Sequence, residues 1–211
     1  MLEITKKLRL LDCFCGMGGV SDGFAAENFS VTGIDIIDAP KKLGYSYDFI
    51  QADVRKLDGK DFQGYDVIWA SPPCRDFTKI GIVVGHRWKV PQNPKNGLEL
   101  VKIACAFIDG AKPKFWVMEN VSRLQKFYDV PARFTGNLGK QMYRSFWGNF
   151  PVFLMPQTNR TLVVKSAFGF ITHFPRERQL SSWTRAKIPF VCAQAFAQAI
   201  KRELLNEVNS G

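Results

Sequence analysis

Histidine is almost missing from this 211-residue chain, which has only His86 and His173. The five cysteines (Cys13, Cys15, Cys74, Cys105 and Cys192) form no C-x-x-C pair, so metal-ligand clusters of finger spacing are excluded and no metal is expected. An odd, irregular cysteine set also argues against a disulfide framework. No apolar run approaches the roughly 18 residues of a membrane span. The opening MLEITKKLRLLDCF has no signal-peptide layout, and a reducing cytoplasm is the expected compartment. Acidic residues are scarce in one half: residues 122–211 hold 4 against 13 Lys and Arg, whereas residues 1–121 hold 15 against 16. Of the net charge of +10, +9 therefore belongs to the second half. Such a field concentrates polyanions, nucleic acid first and an anionic membrane surface second, with a plain solvated basic surface as the neutral alternative.

Apolar material is plentiful. With 46% hydrophobic residues and 18 Phe the chain can bury its own core, so residues 1–211 are expected to form one domain rather than a disordered or fibrous array. Short apolar blocks bounded by turn formers recur at 8–14, 31–37, 49–54, 65–70 and 115–121 and predict buried strands. Between the first two lies GGVSDGFAAENF, suited to a helix on a sheet. Between the fourth and fifth, Leu98, Val101, Ala104, Cys105 and Ile108 repeat at helical spacing. This βαβ alternation predicts a doubly wound, mostly parallel α/β sheet. Residues 144–150 and 161–165 predict further strands. FVCAQAFAQAIKRELLNEV predicts a closing helix, with Val191, Ala195, Phe196 and Ile200 on one face and Pro189 at its first turn.

The chemistry-bearing residues fall where predicted strands end. Asp12-Cys13-Phe14-Cys15-Gly16-Met17-Gly18-Gly19 leaves the first strand for a helix, and its glycines allow either a structural tight turn or a close approach of ligand to backbone amides. Asp35, about 20 residues on, is placed to accept from ribose hydroxyls. Asp53 is placed to accept from an adenine amino group or to cap a helix. Ser71-Pro72-Pro73-Cys74-Arg75 leaves the fourth strand, and the paired prolines hold the Cys74 thiol at the rim of the crevice. A free thiol is only about 3% ionised at neutral pH, so a nucleophilic Cys74 needs nearby positive charge, for which Arg75 is a candidate. The alternative is a small hydrophobe ending a strand. Glu119 leaves the fifth strand partly desolvated, which suits a proton donor to a ring nitrogen, and Asn120 is placed to brace the Cys74 loop; a capping pair is the structural alternative.

DCFCGMGG, SPPC and ENV, in this order and spacing, resemble the cofactor loop, nucleophile loop and glutamate motif of the S-adenosylmethionine-dependent cytosine-C5 methyltransferases. The resemblance runs from about residue 8 to about residue 200. KQMYRSF (140–146) resembles the family's Gln and Arg strand, with Met142 where its first arginine is expected, and AKIP (186–189) resembles its closing segment, with Ala186 in place of an asparagine. The resemblance implies a Rossmann-like fold of the class I methyltransferase type and transfer of a methyl group from S-adenosylmethionine, with S-adenosylhomocysteine as product. It assigns Asp12, Phe14, Gly16, Gly18, Gly19 and Pro73 to the cofactor, Asp35 and Ile36 to its ribose end, and Asp53 and Val54 to its adenine. It implies that Cys74 adds to C6 of a cytosine, that Glu119 engages N3 and the exocyclic amine, and that Arg144 helps hold the flipped base, with Asn120 beside them.

Members of that family carry a long target-recognition region, whereas here only about 35 residues, 150–185, are available before a tail of 186–207. Within it Arg160, Lys165, Arg176 and Arg178 are expected to contact phosphates, and with Arg75 they predict double-stranded DNA as partner. The loop 79–95, carrying His86, Arg87, Trp88 and Lys89, is expected to be a lid whose Arg87 and Lys89 reach nucleic acid, or else a plain surface loop. A short target site and a monomer are expected. RNA as substrate, and a regulatory subunit without turnover, are the competing readings.

Overall fold

The computed structural model describes residues 7–78, 93–138, 143–154 and 187–208. Five strands, β1 (Arg9–Cys13), β2 (Ser30–Asp35), β3 (Asp48–Gln51), β4 (Val67–Ala70) and β5 (Phe115–Val121), pair in parallel. A hairpin of β6 (Phe134–Asn137) and β7 (Tyr143–Asn149) joins them, with β7 antiparallel to β5. The sheet order is β3-β2-β1-β4-β5-β7-β6. From β1 the chain winds outward through β2 and β3, then crosses back to β4 and β5. The order therefore reverses between β1 and β4, where a doubly wound sheet leaves a crevice at its carboxyl edge.

Helices cover both faces. Period-two alternation sends Leu10, Val67 and Trp69 to one side and Leu11, Ile68 and Ala70 to the other. Both sides are buried, which is why β4 reads as the unbroken apolar run VIWA and β1 carries Leu10 and Leu11 side by side. On the first side lie α1 (Gly19–Ala25) and the closing α4 (Phe190–Val208). Trp69 is the hub there, its ring edge-on to Phe196 at 4.9 Å and to Phe146 at 6.1 Å. The other side is covered by α3 (Pro94–Ala111) through Ala104, Phe107 and Ile108. A fourth helix, α2 (Ala39–Leu43), is a five-residue turn capped by Asp38. The helices α1 and α4 approach closely: a Cβ on Gly23 would stand 2.5 Å from Ala193 Cβ, so only glycine fits.

Several boundaries differ from the sequence pattern. The strand expected over 49–54 stops at Gln51, because Asp53 caps a 3-10 turn over Val54–Lys56 by accepting the Arg55 N–H at 3.0 Å. The strand β6 and the helix α2 carry no apolar period, since β6 is a half-exposed edge of sequence FTGN. The strand expected over 161–165 and the proposed recognition segment lie outside the described residues, apart from 150–154. Among the described residues no helix is long and apolar enough to cross a membrane.

Candidate active site

The loops leaving β1, β2, β4 and β5, together with β7 and the start of the tail, enclose a cleft of about 440 Å³, within the range of small-molecule sites. Its glycine end is built first. The β1 loop turns through left-handed backbone at Phe14 (φ 63°), Gly16 (φ 50°) and Gly18 (φ 73°), which costs glycine little and Phe14 more. Asp35 at the end of β2 holds this turn: its two oxygens accept the N–H of Gly16 and that of Ile37, each at 3.0 Å. Phe14, Gly16 and Gly19 line the cleft, whereas Gly18 lies against the Tyr45 ring. Beneath the loop Asp12 is buried and accepts from Ser21 Oγ at 2.6 Å. Burial dominates its ionisation and pushes the carboxyl up to about 7, against the opposing hydrogen bond.

Beyond Asp35 the cleft wall is apolar. Ile36 is 59% exposed and Val54 is buried beside it. Asp53 shares its carboxylate with Arg55, whose Nε donates at 2.9 Å, and the same hydrogen bonds hold it below the usual carboxylate range. Its capping role is thus visible directly. Carboxylates for hydroxyl groups, an exposed aliphatic wall for a flat ring and a glycine turn that lines the cleft together fit a nucleoside-bearing amino acid such as S-adenosylmethionine.

The other end holds the thiol. Cys74 follows Pro72 and Pro73, with φ −90° and ψ 0°, in the sparsely populated region where active-site residues recur. Its carbonyl accepts the Phe77 N–H at 3.0 Å. Asn120 Nδ2 donates to the Pro72 carbonyl at 2.9 Å, and its Oδ1 accepts the Val121 N–H at 2.9 Å. Asn120 therefore ties the β4 loop to β5 from behind and is not a wall of the cleft. Glu119 and Arg144 do line it, as an ion pair with Nε 2.7 Å from Oε1. Burial raises the Glu119 pKa, with Arg144 and a hydrogen bond from Ser71 opposing. Burial likewise raises the Cys74 thiol, Glu119 raises it further, and Arg144 lowers it.

One expectation needs correction. The cation that lowers the Cys74 thiol is Arg144, whereas the Arg75 side chain is exposed on the 3-10 turn after Cys74. Arg87, Lys89, Arg160, Lys165, Arg176 and Arg178 lie outside the described residues. Three cleft residues escaped the sequence reading. Ser71 accepts from Trp69 Nε1 at 2.9 Å and so couples the core hub to Glu119. Arg55 pairs with Asp53, and Lys187 pairs with Asp22 across 165 positions, a contact no local pattern reveals.

An α/β sheet in this order with β7 antiparallel, carrying a glycine loop and a thiol loop at its switch point, defines a methyltransferase of class I type. A family model for C-5 cytosine-specific DNA methylases matches residues 8–147, and the chain belongs to that family. It is 24% identical to a Methanocaldococcus jannaschii protein assigned as type II methyltransferase M.MJ0563P, over 92% of this chain and 72% of that protein. It is 32% identical to a protein of Frog virus 3 named as a DNA (cytosine-5)-methyltransferase, over 54% of this chain and 53% of that protein. A solved Escherichia coli prophage protein, titled as a DNA modification methyltransferase, superposes with a TM-score of 0.47 at 21% identity, covering 67% of this chain and 46% of that one. The chain thus spans about half the length of the viral and prophage proteins.

Proposed function

We propose that this chain methylates C5 of cytosine in double-stranded DNA, with Cys74 as nucleophile and Glu119 as the acid at the base. The observation that supports it most is the placing of a strand-end thiol, a buried carboxyl of raised pKa and the arginine paired with that carboxyl in one cleft with a glycine loop. C5 of cytosine is a poor nucleophile until C6 is occupied. Cys74 as thiolate forms a bond to C6, and Glu119 delivers its proton to N3, so the electron pair of the C5–C6 bond becomes available at C5. S-adenosylmethionine, when bound, supplies an electrophilic methyl group. A base from solvent then takes the C5 proton, its electron pair re-forms the C5–C6 double bond, the C6–S bond breaks to release Cys74 as thiolate, and N3 returns its proton to Glu119.

Arg144 has two tasks in this scheme. It stabilises the Cys74 thiolate and orients the Glu119 carboxyl through the 2.7 Å contact. Asn120 keeps the Cys74 backbone against β5 through Pro72. Phe14, Gly16, Gly19, Asp35, Ile36, Asp53, Val54 and Pro73 would hold the cofactor. A base inside a duplex cannot enter such a cleft, so the cytosine is flipped at a cost of a few kcal/mol, offset by phosphate contacts from the basic half.

The recognition segment is short, so the site read is about two to four base pairs. Bisulfite sequencing of plasmid incubated with the protein and S-adenosylmethionine tests activity, base and site together. Methylated cytosines within a short motif are expected. An unmethylated plasmid contradicts the DNA reading, and labelled methyl transfer to tRNA instead would move the substrate to RNA.

A further inference from the structure

The register of the sheet brings Ser71 and Glu119 side by side. The parallel ladder of β4 and β5 sets Trp69 opposite Val117 and Ala70 opposite Met118. Ser71 keeps the strand's course for one residue more, because its N–H donates to the Cys13 carbonyl at 3.2 Å. It therefore lies next to Glu119 across one strand spacing of about 4.8 Å. Trp69 and Val117 face the same side of the core, and period-two alternation puts Ser71 and Glu119 on that side as well. Both line the cleft.

The buried end of this row sets its polarity. Trp69 is fully buried, and an indole N–H can only donate. Its Nε1 gives that hydrogen bond to Ser71 Oγ at 2.9 Å. Ser71 is the acceptor there and keeps its hydroxyl proton for another partner. That partner is the Glu119 carboxyl: burial raises its pKa, while Arg144 and the hydrogen bond from Ser71 lower it.

We propose that Ser71 is a positioning residue for Glu119: with its oxygen held by Trp69, its hydroxyl proton is directed at the Glu119 carboxyl and, together with Arg144, fixes that group in the cleft. When Glu119 passes its proton to N3, the charge left on the carboxylate is met by two donors already in place, the Arg144 guanidinium and the Ser71 hydroxyl. This catalytic consequence rests on reading the cleft as a cytosine-C5 site, whereas the hydrogen bond itself does not.

Carbon NMR of the full chain labelled at its glutamate carboxyls, with the Glu119 resonance assigned by its loss in Glu119→Gln, tests the contact without substrate. Ser71→Ala should raise the Glu119 titration midpoint by about one pH unit, the scale of one hydrogen bond to a charged group. Ser71→Thr keeps the hydroxyl and should leave the midpoint where it is in the unaltered protein. Cys74 from the β4 loop and Arg144 from β7 also face Glu119, and Asp12 at the end of β1 titrates in the same cleft, but all three are common to these proteins. Methyl transfer to plasmid DNA reads the consequence: Ser71→Ala should lower kcat about tenfold with little change in KM for DNA, and Ser71→Thr should recover most of it. An unmoved midpoint in Ser71→Ala, equal shifts in both variants, or a raised midpoint with unchanged kcat overturns the assignment. Absence of methyl transfer by the unaltered protein overturns the cytosine reading and the catalytic consequence with it, while the midpoints still decide whether Ser71 holds Glu119.

Discussion

Arg144 on β7 reaches Glu119 on β5 diagonally: the register sets Arg144 opposite Val121, and its guanidinium Nε closes to 2.7 Å of Glu119 Oε1, two residues back on the same face. Both side chains are almost removed from solvent. The sheet therefore fixes opposite charges in a setting where neither is well screened. Cys74 feels both, raised by one and lowered by the other.

Opposite effects on thiol reactivity follow. Glu119→Gln removes the charge that disfavours the thiolate and should speed alkylation of Cys74 by iodoacetamide at pH 8. Arg144→Gln removes the charge that favours it and should slow the same reaction, each by about three- to tenfold, since one pKa unit is a factor of ten in thiolate. Site-resolved mass spectrometry distinguishes Cys74 from the other cysteines. Changes of the same sign in both variants would show that access, not charge, governs the thiol.

Asp12 predicts a pH dependence of stability. Its folded pKa of about 7 lies above the ordinary carboxylate value, so between these values the native state holds a proton that the unfolded chain has released. Stability contributed by the neutral carboxyl is complete below the unfolded pKa and is lost as pH rises toward and through 7. Between pH 5 and 7 this loss amounts to about 2 kcal/mol. Asp12→Asn keeps an acceptor for Ser21 and does not titrate, so urea denaturation should show a correspondingly flatter profile. Parallel profiles for the two proteins would place the ionised form in the native state throughout.

Gly23→Ala tests the seam between α1 and α4. Besides the Ala193 side chain, the new Cβ would stand 2.6 Å from the Gln194 backbone nitrogen, and backbone cannot rotate aside. A loss of about 1–3 kcal/mol is expected from overpacking, read as a lower midpoint in thermal or urea unfolding. An unchanged midpoint would mean that the two helices separate at no cost.

How far these features were legible depends on where the information lies. β1 and β4 could be read because both faces of each strand are covered, leaving apolar runs such as VIWA. β6 could not, because an edge strand of four residues containing a glycine has no such run. Cys74, Glu119 and Gly16 are legible through their place at strand ends, a matter of order along the chain. The charge state of Asp12 is not, since it depends on burial under a loop. Arg144 lowers the thiol because β7 inserts antiparallel beside β5, whereas adjacency in sequence pointed to Arg75. The Lys187–Asp22 contact likewise exists only once α4 has packed on α1.

The central claim is that the sulfur of Cys74 bonds to C6 of the target cytosine during turnover. The most direct measurement is denaturing electrophoresis with mass spectrometry of the protein incubated with S-adenosylmethionine and duplex DNA carrying 5-fluorocytosine at the mapped site. That base has no C5 proton to lose, so a stable protein–DNA adduct at Cys74 is predicted, absent from Cys74→Ser. Methyl transfer to ordinary cytosine without any trapped adduct, or an adduct that persists in Cys74→Ser, would contradict it.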